Sequence, residues 1–581
     1  MRKSGRATAI ALMTLVCGMS LLRAADTTNP AQAGLLATLQ KADASHEQKA
    51  AACRELALVG NKDAVPVLAA MLGDEKLAHM ARYALEPIAD PSVDKVLREA
   101  LEKLNGNLLL GVIGSIGARR DQAAVEPLSK LLRHQDQQVV RAAANALGKM
   151  ATLPAGKALS RALEEVKGDA LPAVGDALLK CAARLADTGQ KNDALRFYAA
   201  VRKMETPQPI RLAATRGVIL CGGKDGLKIL AEQLTSDNLP GFMGGLGVAM
   251  EISDKKVVPV LVDVLGKIPP DRAAALIPVL GRRGDEAALP ALLDRAKSGE
   301  KPLRLAAIAA VAEIGKASSV PALIELLKDP DGEIVRGVVS GLAGMPGTGV
   351  DEAIFKMLEC QDESLRLKML DLAGQRKIVK ALPVLVKGLS DQNKAVRGAS
   401  IRSCGELAGA EQFPALLDTL VKTQEAGEAE SLERILGTVC SMTADKDPCS
   451  AKLVDALAKA TPASKQPLVR LLGVVGGPAA LAAVRSVAGD ADPEMRLTAI
   501  RVLSACKTAD AAPVLLGLIK EAADDKEKLL SLRGYLGIAT QYEKGKNVKE
   551  TSEALQKVVA DWKSGPQEQA RAMLKQFESE K

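Results

Sequence analysis

The chain is 581 residues long, carries a formal net charge of +8 and has only 2% aromatic residues. Length alone suggests about four globular domains. A composition led by Ala, Leu, Val and Lys argues instead for thin helix-on-helix layers with little room for rings. Helix formers are abundant and strand-like alternation is scarce, so an almost wholly α-helical chain is expected.

The N-terminus reads as a targeting segment. "MRKSGRATAIALMTLVCGMSLLRA" places Arg2, Lys3 and Arg6 ahead of an apolar run from Ala7 to Leu22. That run is short for a membrane span and has no polar face, so residues 1–24 are expected to be a secretory signal peptide cleaved after Ala24. A lipoprotein signal at Cys17 is the weaker reading, because Val16 stands where that signal wants a small residue. Residues 25–34 read as a short linker. The protein is therefore expected to be exported, either periplasmic or secreted. Residues 1–24 hold four basic and no acidic residues, which leaves +4 for the rest. So balanced a charge gives no reason to expect a polyanion partner.

From there a phrase keeps returning. Pro259, Pro290, Pro321, Pro383 and Pro414 lie on one grid with a step of 31 residues, and Lys228 and Glu352 occupy its two remaining points. The pattern persists more loosely around Pro66, Pro127 and Pro513. Each unit has two helical halves. In "PLRLAAIAAVAEIGKASSVPALIELLKD", Leu305, Ile308, Val311 and Ile314 share a face of the first helix and Gly315 caps it. After a polar connector, Pro321 sits in the first turn of the second helix, where its missing N–H costs nothing. Val320, Leu323, Ile324 and Leu327 form that helix's apolar face. One hairpin cannot bury such a face alone, whereas stacked neighbours can, so the expected fold is an all-α solenoid.

The second-helix phrase "AVPxLxxLL-D" and the first-helix phrase "VRxxAxxALGxIG", seen here as "VVRAAANALGKM" and "PLRLAAIAAVAEIG", resemble the HEAT-repeat family. Their short period is most similar to its phycobilisome-lyase-type HEAT-like branch. About 16 helix pairs are expected from roughly Ala31 to the end, by the repeat-reading rule, with residues 35–535 as the repeat solenoid. Residues 186–204 look like a tetratricopeptide hairpin. Residues 536–581, with Trp562, read as a polar C-terminal cap. The resemblance implies that second helices line a concave face and that arginines and acids form a ladder inside the stack.

Several constellations follow from the grid. Arg211, Arg304, Arg366 and Arg397 lie on it, with Arg141, Arg336 and Arg496 at nearly equivalent places. Asp136, Asp331, Asp362, Asp391 and Asp492 sit just before such arginines. A structural ladder is expected rather than a nucleic-acid track, since aromatic platforms are scarce. Four residues after each anchor stand Glu232, Asp263, Asp294, Glu325, Lys356, Lys387 and Asp418. These outward positions form an acidic strip followed by two lysines, and they are the candidate contacts for a protein or peptide partner.

Cys53, Cys221, Cys404 and Cys506 fall on apolar stripes, where cysteine behaves as a small hydrophobe. Cys440 and Cys449, at the end of one helix and the start of the next, are placed for a disulfide if their Cα atoms lie within about 7 Å. His46, His79 and His134 have no metal-ligand spacing beside them, and no cofactor is expected. The glycines of Pro240–Met250 and Gly337–Gly349 fall within first helices and serve packing or bending. The expected function is a non-catalytic extracytoplasmic scaffold for a protein partner, with no nucleic acid and no membrane span in the mature chain. A phycobilin-lyase-like enzyme and a nucleic-acid-binding protein of the same repeat class are the alternatives.

Overall fold

The computed structural model describes residues 30–443, 445–506, 509–542 and 548–580. The segment read as a signal peptide lies outside them. Among the described residues there are 34 α-helices and no strands, so the chain is an all-α solenoid. It divides into two compact units, one ending at Arg272 and one beginning at Ala273.

The repeat is clearest in the second unit. Helix Lys301–Ile314 buries Leu303, Ala307, Ile308, Ala310, Val311 and Ile314. Leu305, expected on this stripe, is half-buried. Gly315 ends the helix with φ +71°, a left-handed conformation that glycine adopts without penalty. The connector Ala317–Ser319 is a 3-10 turn, and helix Val320–Leu326 follows with Pro321 in its first turn. Val320, Leu323, Ile324 and Leu327 are all buried. Each fully buried aliphatic side chain of this kind is worth roughly 1.5–3 kcal/mol.

The same 3-10 turn precedes the second helices at Val65, Val125, Leu289, Leu382, Phe413 and Ala512. In three of them a side chain at the turn's start accepts a backbone N–H: Asn61 from Asp63, Asp121 from Ala123 and Asp285 from Ala287. The polar connector of the sequence is thus an ordered, capped turn that feeds proline into the next helix.

Successive first helices touch through one recurring crossing. A Cβ added to Gly148 would lie 2.9 Å from the Cα of Ala177, and one on Gly117 would lie 2.8 Å from that of Ala146. In the second unit Gly281 meets Ala310 and Gly374 meets Ser403 at 2.9 and 2.8 Å in the same way. Each partner lies 29 residues on. The glycine of the first-helix phrase is therefore where two backbones press together.

Three expected boundaries shift. Helix Pro30–Gln40 starts inside the segment read as a linker. Residues 186–204 comprise the end of helix Leu171–Asp187, its turn and helix Lys191–Arg202, with Phe197 and Tyr198 buried. The C-terminal boundary at 536 cuts helix Asp525–Tyr542, so the terminal helices begin at Asp525 and continue as Val548–Val559 and Ser564–Glu580. Apolar residues such as Leu532 and Tyr535 hold that helix on the preceding repeat, which is why a polar-composition boundary fell too late.

The crossing makes a signed prediction for chemical denaturation. Gly374→Val, which drives a branched side chain into Ser403, should destabilise by about 1–3 kcal/mol. Gly114→Ala, at a helix position with nothing within 4 Å, should stabilise by about 0.5–1 kcal/mol. Equal denaturation midpoints for both variants would contradict the crossing.

Candidate functional site

All seven outward residues of the strip are exposed. In the first unit, Glu232 lies on helix Gly223–Thr235 and Asp263 on helix Val257–Leu265. In the second unit, Asp294, Glu325, Lys356, Lys387 and Asp418 occupy helices Leu289–Lys297, Val320–Leu326, Thr348–Lys356, Leu382–Gly388 and Phe413–Lys422. Stacking consumes the opposite face of each helix and leaves this position to solvent.

The strip is less acidic than its grid suggests, because the chain supplies its own counter-charges. Asp263 meets Lys267 at 2.5 Å, Asp418 meets Lys422 at 2.6 Å, and Glu325 has Lys328 at 3.8 Å. Lys387 pairs with Glu359 at 3.0 Å. Such exposed pairs contribute about 0–1 kcal/mol to stability but reduce the local field. Among the described residues, Glu232, Asp294 and Lys356 make no ion pair, and they are the strip's least compensated charges.

Beneath the surface, four of the seven grid arginines join ion pairs between repeats. Arg304 pairs with Asp329 and also donates from Nε to the Ala296 carbonyl at 2.9 Å. Arg366 donates to Asp391 at 2.9 Å. Arg397 and Arg496 form a second type. Each donates from Nε to a glutamate 31 residues on, Glu428 at 3.1 Å and Glu527 at 2.8 Å. Each also donates from Nη1 to two carbonyls at the head of its own helix, those of Asp391 and Gln392 or of Asp490 and Ala491. Arg141, Arg211 and Arg336, expected in the ladder, are exposed and have no side-chain partner among the described residues.

The acids divide differently from the expected ladder. Asp136, Asp362 and Asp492 are N-caps, accepting the N–H groups of Gln138, Leu365 and Glu494. Asp331 caps Glu333 and meets Lys301 at 2.7 Å. A short side chain placed just before a helix is taken by the backbone N–H two or three residues on. Only Asp391 of the five also receives an arginine side chain. The Arg304 guanidinium holds Asp329 below the usual carboxylate range. Asp391 is held low first by the Asn393 N–H and then by Arg366.

Two arginines outside the grid do more than most within it. Arg376 donates from Nε to Asp351 at 2.7 Å and from Nη1 to the carbonyls of Leu342, Ala343 and Met345. Arg119 repeats the arrangement on Asp94 and the carbonyls of Glu86 and Ile88. Each closes the C-terminal end of the preceding first helix, whose last carbonyls have no partner of their own. The shared signal is an aspartate 25 residues before an arginine at a helix end.

Cys440 and Cys449 are both free and buried. His46, His79 and His134 are exposed, and no group of three His, Cys, Asp or Glu residues is placed to hold a metal among the described residues. No described helix is long and apolar enough to cross a membrane. The sequence reading missed exposed apolar residues in the first unit. Leu58 and Tyr83, 86% and 52% exposed, flank a shallow cavity with Pro87 and Ala118, and Leu239, Met243 and Met250 stand out from helix Leu239–Glu251. The repeat pattern alone does not tell which apolar residues lie beyond the stripe.

Two-helix repeats whose first helices cross at fixed glycines define an α-solenoid protein. The chain belongs to the HEAT-repeat family: the HEAT-repeat model matches residues 93–178, 258–343, 352–435 and 450–533, more than half of its length. An epoxyqueuosine reductase of Bacillus cereus is 39% identical over 84 residues, which is 14% of this chain. The chain spans 22% of that relative's length. Among solved structures, yeast importin-beta (Kap95p) is similar over 94% of this chain and 89% of that chain, at 13% identity and a TM-score of 0.33. Human deoxyhypusine hydroxylase is similar over 51% of this chain and 98% of that chain, at 17% identity and a TM-score of 0.20.

The ion pairs carry two predictions. Arg496→Met leaves the buried Glu527 carboxylate without its cation and should cost about 3 kcal/mol, whereas Arg141→Ala, on the surface, should change stability by less than about 0.5 kcal/mol. Denaturation midpoints compare the two. The second concerns pH. Because the folded pKa of Asp329 is depressed, its contribution is present above the ordinary carboxylate pKa of about 4 and is lost as pH falls through the lower folded value. The melting-temperature gap between wild type and Arg304→Met should therefore narrow as pH drops from neutral to below that range. A gap independent of pH would contradict the assignment.

Proposed function

We propose that the protein is a non-catalytic scaffold that works outside the cytoplasm and binds a protein partner along its second-helix surface. The observation that carries this reading is the separation of roles within each repeat. The apolar stripe and the inter-repeat arginines are used up in holding the stack, while the position four after each anchor stays charged and exposed. A surface built from repeated outward charges suits multipoint contact with a partner carrying complementary charge. The apolar run at residues 7–22 supports export. The short period supports placing the chain near the phycobilisome-lyase-type repeats in sequence, without their chemistry.

Two baits test the reading: the wild-type chain and an Asp294→Lys, Glu325→Lys variant, each incubated with cell-envelope extract. A protein retained by wild type, lost from the variant and released by salt would support the strip, because exposed charges are screened over about 10 Å at 0.1 M. Equal retention by a variant that is still folded by circular dichroism would reject it. In the same preparation, a chain recovered from the envelope that begins at Ala25 supports export, and one that keeps Met1 in the cytoplasmic fraction opposes it.

A further inference from the structure

We propose that the cleft between Leu58 and Tyr83 in the first unit docks a peptide segment of another protein in which a lysine or arginine follows one or two aliphatic residues. The cleft holds about 490 Å³ and crosses the C-terminal ends of three successive first helices, His46–Val59, Ala78–Leu85 and Gly106–Arg119. Its apolar walls are Leu58, Tyr83, Pro87 and Ala118. The core does not use the two large ones. Leu56 is fully buried, and Leu58, two residues on, is turned by about 200° to the other side of the helix. Ala81, Ala84 and Leu85 carry the inner face of their helix and leave Tyr83 outside. Single apolar residues scattered over a surface are ordinary, whereas two large ones lining a shared cleft offer an apolar group a place to bind.

The charges beside these walls select the polar part of the partner. Arg119 lines the cleft but has no donor left to give. Its Nε and Nη2 reach the Asp94 carboxylate, its Nη1 donates to the carbonyls of Glu86 and Ile88, and its Nη2 donates also to that of Asp90. All five N–H groups of the guanidinium are thereby committed. Glu86 is the other charged lining residue. Its Oε1 accepts from the buried Ser115 hydroxyl at 2.7 Å, which holds the carboxylate at the cleft, and it makes no ion pair among the described residues. Arg82, one turn earlier, packs its guanidinium against Gly111. Arg54 and Glu55, one turn before Leu58, are exposed neighbours of opposite sign. A positioned, unpaired carboxylate beside apolar walls complements a segment that brings an aliphatic side chain and a cation together. An acidic segment would meet Glu86 and find no free donor on Arg119.

The cleft lies on first helices and the charged strip on second helices, so this inference does not rest on the strip. Fluorescence anisotropy tests it on the full chain with three labelled, end-capped hexapeptides. One has two leucines followed by two lysines between glycines, one has glutamates for the lysines, and one has glycines for the leucines. The leucine–lysine peptide should bind, and each of the others should bind at least about tenfold more weakly, having lost one of the two matched features. Glu86→Gln keeps an acceptor for Ser115 and should weaken the leucine–lysine peptide about threefold to tenfold, and Leu58→Ser about tenfold or more. Both positions are exposed, so both variants should keep the wild-type melting temperature. The Asp294→Lys, Glu325→Lys variant should bind the peptide as wild type does, which separates failure of the cleft from failure of the strip. No binding of the leucine–lysine peptide, equal binding of its glutamate counterpart, or binding lost in the strip variant but kept in Leu58→Ser would overturn the proposal. So would a dimer that Leu58→Ser dissociates while no peptide binds, which gives the cleft to a second copy. A peptide bound by a chain beginning at Ala25 and refused by the full chain would overturn it too, by giving the cleft to residues 1–24.

Discussion

The close approach of successive first helices is the constraint on which the rest of each unit depends. Packed helices usually sit about 8–10 Å apart, and only glycine against alanine or serine brings them to the near end of that range. Gly117, Gly148, Gly281 and Gly374 each meet a small residue 29 positions on. A larger side chain at either place would spread the helices, and every inter-repeat contact downstream of the crossing would lose its distance. The arginines show this directly. Arg304 and Arg366 find an acid 25 residues ahead, and Arg397 and Arg496 find one 31 residues ahead. Such fixed offsets recur only because each repeat is set on the last in the same way.

The arginines also show why the interior pairs matter more for geometry than for gross stability. Arg376 is 7% exposed and touches three carbonyls besides Asp351. Its planar, always-charged group spreads five donors over the carboxylate and the carbonyls, where a lysine would offer three from a single nitrogen. Those carbonyls end a helix of the preceding repeat. The cation therefore caps one helix while belonging to the next repeat, and the two cannot slide without exposing unpaired carbonyls.

Much of the architecture was legible because it is periodic. The proline grid locates the second helices, and Gly315 marks a helix end in the sequence itself. The ladder was only partly legible, for a physical reason. An aspartate before a helix can cap its own backbone or reach a neighbour's arginine, and the residue type is the same in both cases. Asp136, Asp362 and Asp492 cap, whereas Asp391 does both. Glu428 and Glu527 were missed because they lie inside the next repeat's first helix, a full period from their arginines. The exposed positions of the candidate strip could be read as outward, but their pairing with Lys267, Lys328 and Lys422 depends on rotamers that spacing does not fix.

That pairing changes how the outward charges can discriminate between partners. A carboxylate that already has a lysine one turn away offers a partner little net field, and meeting it requires displacing an existing contact. Among the described residues Glu232, Asp294 and Lys356 have no such contact to give up, so their charge faces solvent. Selectivity on a repeated surface then need not come from the number of acids along it. It can come from the few positions where the chain leaves a charge uncompensated, and in this protein those positions fall on separate repeats. A partner matching one of them gains little at physiological salt, since a single exposed pair is worth under about 1 kcal/mol. Within the second unit, a ligand that met both Asp294 and Lys356 would gain from the second contact without paying again for association. Within each unit the glycine crossings set the register of neighbouring repeats, and with it the spacing of the outward charges on them.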